Sequence, residues 1–242
     1  MKNRKAFILA KKELYSFSYT PAFYGVALFF TLFCSIWLFY IQRFFTMNQA
    51  TLRPFFAAFP VAFILVIPMI TMKSWAEERK LGSMELLLTL PFSEWDLVLG
   101  KFIAVMAEVA VLLVLTLPVP LSVMGLGRFD AGAIAGEYFG ALLLGSSASA
   151  LGLLLSSLSK SQAGAFLGSA VVLVVTMLIG NVSAGLNLPR TAAGAINYIS
   201  LAFHFESFSR GIIDTRDIGF FVITTVLFLF LNTRVILFRK WR

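Results

Sequence analysis

Cysteine and histidine are all but missing from this chain, with Cys34 and His204 alone in 242 residues. One thiol forms no intrachain disulfide, and one imidazole gives no cluster with metal-ligand spacing. A disulfide scaffold, a two-cysteine redox motif and a zinc site are thereby excluded. Charge is scarce too: Asp, Glu, Lys and Arg make up 13% of the chain against 59% hydrophobic residues. No single water-soluble core hides that much apolar surface, so the solvent for most of the chain is a bilayer. Two catalytic signatures are also absent. The sequence has no glycine-rich loop ending in Gly-Lys-Ser/Thr to cradle a phosphate, and no Gly-x-Ser-x-Gly elbow. A lone histidine offers little for acid–base work. The chain reads as a non-enzyme that binds no cofactor or metal of its own.

What the sequence does have is long apolar runs. Six windows at 21–41, 54–72, 99–124, 138–158, 163–182 and 218–236 are each long enough to cross roughly 30 Å of hydrocarbon. Lipid offers no partners to a backbone, and these runs lack the alternation of a membrane barrel, so each is predicted helical. The expectation is an all-α, polytopic protein with one membrane domain over 21–242 and no separate soluble domain. The first apolar run begins near Pro21 and passes Phe39 without a small-residue cleavage site, so no cleaved signal peptide is expected.

The net charge of +8 is spread along the flanks of these runs. Fourteen Lys and Arg fall on the side of the two chain ends, from Lys2 to Arg242, and six on the other: Arg43, Arg53, Arg128, Arg190, Arg210 and Arg216. The positive-inside rule then puts both termini in the cytoplasm, as expected for a multi-pass protein of the bacterial inner membrane. The basic excess is accounted for by membrane topology, with no nucleic-acid partner.

Residues 1–20 place Phe7, Ala10, Leu14 and Phe17 at helical spacing, with Lys5, Lys12 and Ser16 elsewhere on the wheel. The pattern fits an amphipathic helix on the cytoplasmic membrane surface, its lysines near anionic lipid headgroups; an ordinary basic flank is the alternative. The fourth and fifth runs are rich in small residues: Gly136, Gly140, Gly145, Ser149, Gly152 and Ser156, then Gly164 and Gly168. Such residues let backbones approach, either at a moving or dimerising interface or in static packing within one bundle.

Between the second and third runs lies the most structured loop. Glu77, Glu78, Arg79 and Lys80 end a helix at the membrane surface, and Gly82 permits a sharp turn. Ser83 is a good N-cap for a short helix over 83–90, with Glu85 near its positive end and Pro91 as its stop. Ser93 and Asp96 then form a near capping box that starts the chain back into the membrane. The short helix, with Met84, Leu86, Leu87 and Leu88 apolar, either inserts into a groove on a soluble partner or rests its leucines on the bilayer.

Glu77-Glu78-Arg79, then Gly82-Ser83-x-Glu85-x-Leu87 and Pro91, then Gly100-Lys101, resembles the hallmark of ABC type-2 permeases. A second stretch, from His204 through Phe205, Glu206, Phe208 and Arg210 to Asp214, with Asp217 beyond, is similar to the segment before the last helix in the gliding-motility-type (GldF-like) branch. The resemblance implies a type V exporter architecture: an N-terminal elbow helix, a cytoplasmic coupling helix and short outer gate helices. It further implies a second permease protomer, identical or related, and separate ABC ATPase subunits that bind ATP and Mg. An auxiliary envelope subunit is a further partner it allows. On this carry-over Glu77, Glu78, Arg79 and Glu85 face the ATPase. The outer gate falls within 187–210, where Pro189, Phe203, His204, Phe205, Glu206 and Phe208 interrupt a continuous span. The implied function is an exporter subunit; a non-transporting subunit of a motility or envelope assembly uses the same fold, and a secondary transporter lacks support from repeats or midplane ion ligands.

Glu108 is the one ionisable residue well inside a predicted span. It either lines the translocation path or pairs across a protomer interface, or it is a neutral structural glutamate. His204 fits an aromatic-like residue at the outer interface better than a ligand. The topology is checked by cysteine labelling in a Cys34→Ser background. Lys160→Cys is expected to react with a membrane-impermeant maleimide only after the cytoplasmic side is opened, and Asp214→Cys in intact cells; the reverse pattern would invert the orientation.

Overall fold

The computed structural model describes residues 2–46, 51–89, 92–127, 129–185 and 190–240. Among these every regular element is helical. The chain begins with α1 (Lys2–Ser18) and α2 (Pro21–Ile36), which runs on into a π-helical turn at Trp37–Ile41. After α3 (Arg53–Phe56) come α4 (Ala58–Lys80), the short α5 (Ser83–Thr89), α6 (Glu94–Thr116) and α7 (Pro118–Val123). The remainder forms α8 (Ala131–Leu158), α9 (Gln162–Gly185), the short α10 (Arg190–Ile199) and α11 (Leu201–Ser209), and α12 (Thr215–Lys240). Among the described residues six stretches are long and apolar enough to cross a membrane: Pro21–Thr46, Arg53–Lys80, Glu94–Leu126, Ala131–Leu158, Gln162–Gly180 and Thr215–Arg239. The chain is an all-α, multi-pass membrane protein. Six crossings return it to its starting side, so α1 and the end of α12 share one face, here termed the terminal face; α10 and α11 lie at the opposite, distal face.

Burial sorts the six helices into inner and outer members. The most apolar windows of α4 and α8 are 67% buried within the chain, against 22% for α9. Lipid is no less apolar than a leucine side chain, so helices that pack inside a bundle need close backbone approach or polar contacts to hold them. α8 supplies both. A Cβ on Gly152 would stand 2.5 Å from Thr71 Oγ1 of α4, and one on Gly140 2.5 Å from Phe208 Cγ of α11. Ser147 Oγ donates to the Phe221 carbonyl of α12 at 2.9 Å and lies 3.0 Å from Thr225 Oγ1. The small residues of α8 thus pack within one bundle. On α9, a Cβ on Gly168 would meet nothing within 4 Å, so that glycine points away from the core, whereas Ala165 and Ser169 of the same helix are buried.

Aromatic rings fill the space between α2, α4 and α8. Phe30 stacks on Phe63 with centroids 5.7 Å apart, and Phe56 meets Tyr138 edge-on at 5.0 Å. Tyr138 in turn hydrogen-bonds Thr116 of α6 at 3.1 Å.

At the terminal face α1 lies along α6. Ala6, Leu9 and Ala10 are buried, whereas Phe7 is 65% exposed. The stripe expected from helical spacing, led by Phe7, is therefore rotated by about one residue. Its cause is Gly100 of α6: a Cβ there would sit 2.8 Å from Leu9 Cδ2 and 3.0 Å from the Ala6 carbonyl. The closest approach selects the small alanines and leaves the bulky Phe7 and Ile8 facing outward. The packing predicts a contrast measurable by thermal unfolding in detergent. Gly152→Ala is expected to cost about 1–3 kcal/mol by overpacking against Thr71, whereas Gly168→Ala, with open space around it, is expected to cause no loss.

Candidate functional site at the terminal face

The turn between α4 and α6 is built by local chemistry. Gly82 has φ 70°, a left-handed conformation that lets the chain reverse after Leu81. Ser83 opens α5, and its hydroxyl donates to the Glu78 carbonyl at 3.2 Å. The expected N-cap serine therefore closes the last turn of α4, because the tight reversal at Gly82 brings its hydroxyl back over that helix end. Ser93 and Asp96 form a complete capping box at the start of α6. Met84 and Leu87 are buried and fasten α5 to the bundle, while Glu85 and Gly82 are exposed. Pro91 lies outside the described residues.

Beneath α5 sits a buried ammonium. The Lys101 side chain is 1% exposed, and its Nζ lies 2.7 Å from Glu78 Oε1, 2.7 Å from the Ser74 carbonyl and 3.2 Å from Glu13 Oε1. An ammonium has three N–H donors, and here three acceptors receive them. Nζ also stands 4.8 Å from the Trp75 ring centroid, a cation–π contact on a fully buried indole. One side chain of α6 thereby ties α1, through Glu13, to the end of α4, through Ser74 and Glu78. Gly100 and Lys101 act as a pair: the first lets α1 come close, and the second holds it there.

The other charges of the segment divide between inward and outward roles. Both terminal nitrogens of Arg79 donate to α8, to the carbonyls of Ser157 and Ser159. These are orphan acceptors at the C-terminal end of α8, where a cation also meets the negative pole of the helix. Ser156 of α8 accepts from the backbone N–H of Trp75 at 3.3 Å and donates to the Met72 carbonyl at 3.2 Å. Glu78 and Arg79, expected to face a partner, thus point into the chain, because each meets a complementary group already held by a neighbouring helix. Glu85 alone of the expected acidic and basic contacts is exposed; Glu77 is half-buried and lines a cavity.

That cavity, of about 520 Å³, lies between α1, α4, α5 and α6. Lys12, Glu13, Lys73, Glu77 and Lys101 line it with Glu108, alongside Phe17, Ile70, Leu87, Ala104 and Val105. Glu108 is 5% exposed and its Oε2 has no hydrogen-bond partner among the described residues.

At the distal face, α11 packs His204, Phe205 and Phe208 inward and leaves Phe203 and Glu206 exposed. Glu206 accepts from Arg210 at 2.6 Å and pairs with Arg53 at 3.5 Å. His204 is not the interfacial aromatic-like residue expected. It is 2% exposed, its Nδ1 is 2.6 Å from Asp217 Oδ1 of α12, its Nε2 is 3.1 Å from the Tyr198 carbonyl, and Phe220 stacks on it at 3.8 Å. Two acceptors flank the ring, so it is clamped between α10 and α12. Pro189 lies outside the described residues.

Comparison with known proteins decides the family. Residues 7–238 match the family described as ABC-2 family transporter protein. The chain belongs to the ABC-2 transporter family. Within it, the chain is 30% identical over 147 residues to proteins of Escherichia coli K12 and Escherichia coli O157:H7, each named probable multidrug ABC transporter permease YbhR. That match covers 60% of this chain and 39% of each relative, so the chain spans about two fifths of the length of the relatives it matches.

Two members of this ABC-2 protein's polar framework were not legible as such. Glu13 pairs with Lys101, and the one sequence signal was an acid standing alone on an otherwise basic helix. The Asp217 pairing with His204 bridges 13 positions and two helices, and no local pattern announces it. Truncation of Lys101 tests the framework. Lys101→Ala strands Glu78 and Glu13 and is expected to destabilise the chain by about 3–5 kcal/mol. Lys101→Met combined with Glu78→Gln is expected to recover a substantial part, as read from thermal unfolding in detergent.

Proposed function

We propose that the chain is the permease subunit of an ABC exporter, moving substrate across the bacterial inner membrane with energy from a separate ATPase. The terminal face is then cytoplasmic, in keeping with the fourteen Lys and Arg on that side. The observation that carries the reading is α5 itself. It is a short helix pinned on one side by Met84 and Leu87, showing Glu85 on the other, and bracketed by the two helices that Lys101 locks together. A partner pressing on α5 moves α4, α6 and α1 as a unit, which is what coupling to a motor requires.

These 242 residues hold no phosphate loop, so ATP and Mg belong to the partner ATPase, and this chain performs no chemistry of its own. In this reading Glu85 and the exposed turn at Gly82 meet the ATPase, with Glu77 at the edge. Glu78 and Arg79 set the position of α5. Glu108 lies on the translocation path, and Phe203, His204, Phe205, Glu206 and Phe208 form the outer gate with α10 and α11. A second protomer, identical or related, completes the path through the membrane. The likeness of His204 to Asp214 to the GldF-like branch supports placement there and leaves room for an envelope subunit as a further partner.

The test is association. An ABC ATPase encoded beside this chain is expected to co-purify with it from membranes. Glu85→Arg is expected to abolish that association while leaving thermal stability within about 0.5 kcal/mol, since the side chain is exposed. Transport by the chain alone in liposomes would overturn the reading.

A further inference from the structure

Besides Lys101, the cavity beneath α1 contains one buried ionisable residue, Glu108, that the coupling framework does not use. Lys101 is fully engaged by Glu78, Glu13 and Ser74. Glu108 stands seven residues further along α6, about 10 Å deeper by helical rise. Its Oε2 meets no donor among the described residues, although Glu108 is 5% exposed and lines the cavity. A carboxylate carried to that depth without a partner costs on the order of several kcal/mol. A cation arriving from outside the chain would remove that cost.

The rest of the lining narrows the chemistry. Ile70, Ala104 and Val105 make an apolar wall on α4 and α6, and Phe17 and Leu87 add to it from α1 and α5. Among the described residues no group of three or more His, Cys, Asp or Glu could hold a metal ion. A bare divalent cation, which wants six or more oxygens or a comparable set, finds too few ligands here. An organic cation finds a carboxylate for its head and hydrocarbon for its body. The volume of about 520 Å³ is within the range of sites for drug-sized ligands. Lys12 and Lys73 also line the cavity; with Lys101 they set three ammonium groups against the four carboxyl groups of Glu13, Glu77, Glu78 and Glu108, an excess of one that a single cation fills.

We propose that this cavity binds a single amphiphilic organic cation, its onium or ammonium head against Glu108 and its apolar body along Ile70, Ala104 and Val105. The proposal deepens the exporter reading and rests on it, in that the cation would be cargo held at the entrance from the terminal face. Two sources share this chemistry: an amine-headed membrane lipid and a soluble cationic amphiphile.

The experiment uses the full chain in micelles of the non-ionic detergent dodecyl maltoside and two probes of the same shape and opposite charge, tetraphenylphosphonium and tetraphenylborate. Saturable binding is expected for the cation only. Glu108→Gln is expected to weaken it at least tenfold, with Glu108→Asp retaining part of the affinity. Ala104→Met narrows the cavity without changing charge and is expected to weaken the cation as well. Equal binding of the anion, or unchanged cation affinity in Glu108→Gln, overturns the proposal. If Glu108→Gln fails to fold, unchanged affinity in Ala104→Met overturns it instead. Adding phosphatidylethanolamine to the micelles separates the sources: competition with the probe identifies the lipid amine, and its absence a soluble amphiphile, with the site standing in both cases. Cation binding by a chain that never associates with an ATPase would sink the exporter reading and leave the site intact. Loss of cation selectivity with ATPase association preserved would do the opposite.

Discussion

The ammonium of Lys101 is the contact on which the terminal face depends. Burying a lysine in a membrane protein is costly unless each N–H finds an acceptor, and its three acceptors come from two other helices, α1 and α4. The same side chain therefore neutralises itself and cross-links three helices. α5 is suspended between two of them, so its position follows from this one charge. Arg79 does related work one residue beyond Glu78, fastening the end of α4 to the end of α8.

A second constraint comes from lipid. Apolar side chains gain little by leaving it for one another, so the bundle relies on close backbone contact and hydroxyl bonds. α8 is the helix where both concentrate, through Gly152 against Thr71 and Ser147 against Phe221 and Thr225. Bulky aromatics then fill the gaps left by small residues, as Phe208 does over Gly140. The outer helices α2, α9 and α12 keep apolar residues such as Leu32, Val171 and Ile223 on their exposed sides, a surface suited to lipid or a second protomer.

Much of this was legible in advance. The all-α fold and its six crossings follow from hydropathy, because a backbone in hydrocarbon has one open-ended way to satisfy itself. The turn at Gly82 and the capping box of Ser93 and Asp96 were readable because caps and turns are local, decided within a few residues. The face of α1 was not. Helical spacing identifies a stripe, but which stripe meets a neighbour depends on where that neighbour has a gap, and Gly100 belongs to another helix. The inward turn of Glu78 and Arg79 was hidden for the same reason: their partners lie 23 and about 80 positions away.

The sequence by itself determined what kind of solvent the chain requires, how often it crosses, and where short polar segments must stop its helices. Those are properties of composition and local spacing, and they do not wait on packing. Only the tertiary structure decided which charges are structural and which are free to meet something else. Lys101, Glu78 and Arg79 looked no different in the sequence from Glu85, because a charge reveals its role only when the groups around it are known. Assembly satisfied Lys101 and Arg79 within the chain, left Glu85 on the surface, and left Glu108 lining a cavity with its buried Oε2 meeting no donor among the described residues.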